Sequence, residues 1–243
     1  PGVTSITRAS VDPTNAAVVD FSVTFSEAVS GVDVSDFGLA TTTGASISNI
    51  NGAGNVYLVS VSTGVGNDTV RLDFIDNDSV VDLAGNTTST GYASGEQYLV
   101  DRSVPFVASI ARANTNQTNT SSVEFIVSFS EAVNGVDGSD FSLFTVNGAA
   151  IQSVAGSGNV YTVSVSTKPG NDTIRLDVID DDSIFDNAGN KLGDVGTGNG
   201  NFTNGEAYTF SLGVPVVTSI LRASPNPISA PTVDFVVTFS EVV

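Results

Sequence analysis

Residues 19–29 read VDFSVTFSEAV, and the phrase returns at 123–133 as VEFIVSFSEAV and at 233–243 as VDFVVTFSEVV. Inside it Val19, Phe21, Val23 and Phe25 alternate with polar residues, a period of two that puts the apolar side chains on one face of a strand. The same alternation runs through Val70-Arg71-Leu72-Asp73-Phe74. Further strand patterns at 3–9, 37–42, 45–50, 56–63 and 96–100 bring the number to about seven in the first hundred residues. Turn signals such as NGAGN (51–55) and GVGND (64–68) separate them. No stretch has a helical period. About seven short antiparallel strands per hundred residues predict an all-β chain built from immunoglobulin-like β-sandwiches.

The repetition sets the organisation. TSITRAS at 4 returns as ASIARAN at 108 and TSILRAS at 218, GVDVSDF at 31 as GVDGSDF at 135, and GNDTVRLD at 66 as GNDTIRLD at 170. The shift from 19 to 123, 104 positions, holds through Asn86 and Asn190; then TTSTGYASG (87–95) gives way to the longer KLGDVGTGNGNFTNG (191–205), which reads as a flexible surface tip. A period of about a hundred residues is a whole domain with its own core. The expected division is 1–104 and 105–214 as complete repeats and 215–243 as an incomplete third. Its two strands read as the start of a further module, with donation to a partner's sheet as the alternative. Pro1 falls on a repeat boundary with no apolar leader before it, so the chain reads as a mature piece of a longer array.

Composition removes most chemistry. The chain has 243 residues with 26 acidic against 8 basic and no Cys, His, Met or Trp. Without imidazole or thiol there is no Ser-His-Asp triad, no Cys nucleophile and no Cys/His zinc site, and no enzyme activity is expected. The ligands left are carboxylates, carbonyls and hydroxyls, hard oxygen donors that suit calcium. A net charge of -18 argues against nucleic acid as a partner. No apolar run is long enough to span a membrane. A hydrophobic fraction of 40% with 14 Phe is enough to build packed cores.

FSEAVSGVDVSDF (25–37), DLAGN (82–86) and the join Tyr98-Leu99-Val100-Asp101-Arg102-Ser103-Val104-Pro105 resemble the bacterial Ig-like, cadherin-like repeats strung in tandem through large secreted and surface proteins and adhesin stalks. The resemblance implies an extracellular structural or adhesive protein. Its partners would be neighbouring repeats, identical subunits of a filament or sheath, and a surface glycan or receptor. The other reading is a spacer or carbohydrate-binding module of a secreted polysaccharide-degrading enzyme, for which five Tyr and no Trp are a poor stock of stacking platforms.

The acidic phrase VRLDFIDNDSVVDLAGN (70–86) is written again as IRLDVIDDDSIFDNAGN (174–190). It reads as a solvated turn held by local hydrogen bonds, or as part of a cation site, since clustered carboxylates repel unless compensated. It is not an EF-hand, because Val80 and Val81 stand where that loop needs an oxygen ligand and a glycine. Similar arrays hold calcium where modules meet. The resemblance therefore implies a first site of Glu27, Asp76, Asp78 and Asp101, with Asp82 and Asn86 as further ligands or loop organisers. In the second repeat the same positions are Glu131, Asp180, Asp182, Asp186 and Asn190. At the next join Ser211 and Leu212 stand where Asp101 and Arg102 do, so an ion there would be held more weakly or not at all.

Overall fold

The computed structural model describes residues 1–42, 44–115, 120–168, 170–210 and 215–240. Unit 1 comprises β1 (Val3–Arg8), β2 (Val18–Ser30), β3 (Phe37–Ala40), β4 (Ser46–Ser62), β5 (Asp68–Phe74), β6 (Val81–Asp82) and β7 (Gln97–Val100). Unit 2 comprises β8 (Val107–Arg112), β9 (Ser122–Phe129), β10 (Val133–Asn134), β11 (Phe141–Phe144), β12 (Ala150–Ser157), β13 (Val160–Ser166), β14 (Asp172–Val178), β15 (Phe185–Asp186) and β16 (Ala207–Phe210). A last hairpin joins β17 (Val217–Arg222) to β18 (Phe235–Phe239).

Each unit is a sandwich of two antiparallel sheets. In unit 2 the main sheets run β12-β13-β9-β8 and β11-β14-β16, with β10 and β15 paired beside them; in unit 1 they run β1-β2-β4, with β6 paired to the end of β2, and β3-β5-β7. β4 is the fusion of two predicted strands, doubling back through Asn51-Gly52-Ala53-Gly54-Asn55, where Gly52 lies so close to Val56 and Tyr57 that a Cβ would sit 2.5 Å from the Val56 carbonyl. Unit 1 thus matches the four-plus-three arrangement of unit 2. The first strand of every unit carries a register shift at the same place, Val3/Ser5, Val107/Ser109 and Val217/Ser219, an irregularity common on sheet edges.

The alternation read at 19–25 becomes the core. Val19, Phe21, Val23 and Phe25 are buried against Val70, Leu72, Phe74, Tyr98 and Val100 from the opposite sheet. Unit 2 repeats this with Val123, Phe125, Val127 and Phe129 against Ile174, Leu176, Val178, Tyr208 and Phe210. The two clusters share no residue. On β17–β18 the matching side chains Ile220, Phe235, Val237 and Phe239 are 40% exposed or more, because no second sheet faces them.

Tyr98 locks the sandwich at one corner. Its ring packs edge-on against Phe21, with centroids 5.0 Å apart, while its hydroxyl donates to the Asp20 carbonyl at 2.7 Å and accepts from the Ala9 and Ser10 amides at 2.9 and 2.7 Å. Tyr208 does the same in unit 2 through Glu124 and Asn114. Tyr98→Phe keeps the ring and strands three backbone groups; denaturant unfolding should register a loss of about 1–3 kcal/mol in unit 1. An unchanged midpoint would mean water replaces the hydroxyl at no cost.

GVDVSDF forms a capped 3-10 turn. Asp33 accepts from the Ser35 amide at 2.7 Å, and fully buried Asp36 accepts from the Asp33 amide at 2.7 Å and from the Ser79 hydroxyl. Asp137, Asp140 and Ser183 rebuild the arrangement in unit 2, where burial holds the Asp140 carboxyl above the usual carboxylate range. These buried aspartates pin the acidic phrase to the sandwich.

Candidate metal centre at the join between the units

Strand direction decides which carboxylates can meet. β2 runs from the end of unit 1 that faces unit 2 to the opposite end, where the Ser26 amide donates to the Gly2 carbonyl at 2.8 Å and Glu27 lies 3.2 Å from the terminal amine of Pro1. Asp101 sits at the other end, its amide donating to the Thr14 carbonyl at 3.0 Å. From Val19 to Glu27 the strand rises about 3.3 Å per residue, so some 26 Å separates the two ends. β5 runs the same way: Asp68 pairs with Val100 near the join and Phe74 with Phe37 at the far end, which carries Asp76 and Asp78 there as well. The set Glu27, Asp76, Asp78 and Asp101 is therefore not brought together; Asp101 lies a sandwich length from the other three.

What Asp101 meets is the near end of unit 2. One carboxylate oxygen each from Asp101, Glu131 and Asp186 lies within 4.8 Å of the other two, and among the described residues this is the one place where three carboxylates converge. Asp186 is buried and fixed by the turn it opens. One oxygen accepts from the amides of Ala188, Gly189 and Asn190 at 2.8, 2.7 and 2.9 Å, the other from Asn190 Nδ2 at 2.8 Å. Gly189 makes the turn in a left-handed conformation, φ +95°, that L side chains avoid. Glu131 follows β9, and burial, with Asp186 and Asp101 beside it, holds its carboxyl above the usual range. These three mutually repelling carboxylate oxygens are hard donors of the kind that could hold a divalent cation such as calcium.

Unit 1 supplies the other half of the join. The Asn15 amide donates to the Ala188 carbonyl at 3.1 Å and its Nδ2 to Asn190 Oδ1 at 3.2 Å, while Asn190 Nδ2 donates to the Asp101 carbonyl at 3.0 Å. Arg102 turns back into unit 1 and donates to the Asn15 carbonyl at 2.8 Å and to Thr63 Oγ1 at 2.7 Å. Neither Asn15 nor Arg102 stood out as a site residue in the sequence, although Thr14-Asn15 recurs as Thr118-Asn119.

Most other carboxylates of the acidic phrase find donors within their own unit. Asp76 accepts from Thr88 Oγ1 at 2.6 Å; Asp78 is exposed in a left-handed conformation; Asp82 accepts from the Ala84 and Asn86 amides and from Asn86 Nδ2, which holds its carboxyl below the usual range. In unit 2, Asp180 accepts from the Gly200 and Asp182 amides at 3.1 Å, and Asp182 from the Gly196 amide at 3.1 Å. The Gly196 and Gly200 amides belong to the long 191–205 segment, which folds down over the phrase and buries Leu192 in the core. Residues 194–199 of this surface segment stay exposed, while Gly200 gives the buried Asp180 carboxylate a main-chain donor. Ser211, Leu212 and Glu241 lie outside the described residues. Arg8 and Arg112 pair within their own units, Arg8 with Asp12 and Glu96 and Arg112 with Glu206.

No protein-family model matches the chain, and no curated protein matches its sequence. Among solved structures it is similar to the Escherichia coli adhesin FdeC, at 14% identity and a TM-score of 0.45, over 97% of this chain and 72% of that one. It is also similar to InvD of Yersinia pseudotuberculosis, at 11% identity and a TM-score of 0.37 over 94% of this chain and 65% of that one. The D0-D1 domain of intimin aligns at 14% identity and a TM-score of 0.25, over 73% of this chain and 92% of that domain. Among the described residues no helix is long and apolar enough to cross a membrane.

Proposed function

We propose that the chain is a stretch of an extracellular array of the bacterial surface, structural or adhesive in role, in which calcium bound at the join stiffens one Ig-like unit against the next. The observation that carries this reading is the convergence of Asp101 from the connecting segment with Glu131 and Asp186 from unit 2. An ion there would bridge residues on either side of the only covalent link between the units and cancel their repulsion. Removing it would leave three like charges at the hinge. The outcome is mechanical: a rod whose bending depends on the ion. Such a rod would present a surface glycan or receptor ligand at a distance, or pack with identical subunits in a filament or sheath. Tyr57, Tyr98, Tyr161 and Tyr208 point into the cores rather than forming an exposed row, which favours the structural reading over a carbohydrate-binding module.

The test is calorimetry of the full chain with calcium and with EDTA. Calcium at ten times its dissociation constant should add about 1.4 kcal/mol, raising the unit 2 transition by several degrees, and Glu131→Gln should abolish the shift. Asp76→Asn, a sandwich length from the join, should leave it intact. Equal melting profiles in calcium and EDTA would refute the cation-stiffened join.

A further inference from the structure

The turn that receives unit 1 on the surface of unit 2 exists twice. In unit 2 it is Asp186–Asn190, and in unit 1 it is Asp82–Asn86, built with three of the four carboxylate bonds of the Asp186 turn: the Asp82 carboxylate accepts from the Ala84 amide at 2.8 Å, the Asn86 amide at 2.9 Å and Asn86 Nδ2 at 2.7 Å. Gly85 takes the left-handed conformation of Gly189, and the Asp82 amide donates to the Asn86 carbonyl as the Asp186 amide donates to that of Asn190, both at 3.0 Å. The copies differ in what lies on them. Ala188 and Asn190 are partly covered and Asp186 is buried by the Asn15 loop and Asp101; Ala84 and Asn86 are exposed, and Asp82 is only partly covered. A receptor with its occupant and the same receptor without one are present in a single chain.

We propose that the Asp82–Asn86 turn of unit 1 is a docking surface for the trailing end of another module of the unit 1 kind, covalently joined ahead of Pro1. The recognising chemistry is that seen at the native join. A backbone amide meets the Ala84 carbonyl, a carboxamide meets Asn86 Oδ1, and a connecting-segment carbonyl accepts from Asn86 Nδ2. Covalent attachment follows from magnitude. A few neutral hydrogen bonds exchanged with water yield much less than the freedom lost when two separate chains associate. A four-residue connection such as Asp101–Val104 supplies the effective concentration that makes them sufficient. The inference stands on the geometry of the join and not on the bound cation.

The experiment adds a second copy of residues 1–104 ahead of Pro1 of the full chain and places spin labels on exposed sites of the added copy and of unit 1. The inter-label distance distribution, recorded in saturating calcium and in EDTA, should be as narrow as that across the native join between units 1 and 2. Asn15→Ala in the added copy, which leaves the receptor turn untouched, should broaden it several-fold, and Asn86→Ala in unit 1 should do the same. Asn190→Ala should broaden only the native join. A broad distribution in saturating calcium, or one that neither variant changes, overturns the docking surface. A narrow distribution indifferent to calcium refutes the cation reading and leaves the docking surface standing.

Discussion

Phe125→Ala should melt unit 2 and leave unit 1 standing. Phe125 is fully buried at the centre of β9, its ring edge-on to Tyr208 at 5.1 Å, with Val123 and Val127 beside it on the same face. Truncating a buried Phe to Ala costs about 3–5 kcal/mol through lost transfer energy and the cavity left behind. A domain of this size holds only about 5–15 kcal/mol in total, so the unit 2 transition should fall on the order of 15–25 °C. Unit 1 should hold its transition, because the two cores share no residue and the units touch through a few polar contacts. Scanning calorimetry of the full chain reads both transitions at once. Phe21→Ala, at the equivalent place against Tyr98, should give the mirror result. If either substitution lowers both transitions together, the chain unfolds as one cooperative block and the join couples the units far more strongly than its hydrogen bonds account for.

That separation of cores was legible in the sequence, because a period of two along β2 and β5 specifies which side chains face inward, and its recurrence specifies that there are two such cores. The carboxylates were harder. Resemblance to similar arrays groups Asp101 with Glu27, and only strand direction shows that they lie at opposite ends of one sandwich. Glu131 and Asp186, one unit further on, stand where Asp101 arrives. The acidic phrase hides its hydrogen-bond donors for a related reason. Asp180 and Asp182 lack nearby cations in the sequence, yet the backbone amides of Gly196 and Gly200 reach them across the 191–205 segment, and a main-chain donor has no signature in residue identity. Asp36 and Asp140 recur in GVDVSDF and GVDGSDF, but their burial depends on Ser79 and Ser183, which lie 43 positions downstream in each unit.

Arg102→Leu should loosen both unit 1 and the join. The guanidinium is the clasp between them: Nη1 donates to the Asn15 carbonyl, Nη2 to Thr63 Oγ1 at 2.7 Å and the Ala16 carbonyl at 3.3 Å, and the Arg102 amide donates to Asn67 Oδ1 at 2.6 Å. Asn15 is the residue that reaches across to Ala188 and Asn190, so the side chain that anchors the connecting segment also positions the loop that docks on unit 2. Hydrogen bonds from a charged donor contribute about 1.5–3 kcal/mol each and do not add fully when they share one group. A loss of about 2–4 kcal/mol in unit 1 is expected, with the core otherwise unaltered. Arg102→Lys should recover little, because one ammonium cannot span acceptors placed for a planar fork. The join should respond in a way that a purely local defect would not. With Asn15 unanchored and Asp101 free to swing, the spin-label distance between units 1 and 2 should broaden, and calcium should be needed at higher concentration to raise the unit 2 transition. Leucine is also the residue at the matching position of the following join, Leu212, so the variant gives the first join the second's sequence at that position. A variant that melts as the parent does, with an unchanged distance distribution, would show that the connecting segment is held by Asp101 and Asn190 alone.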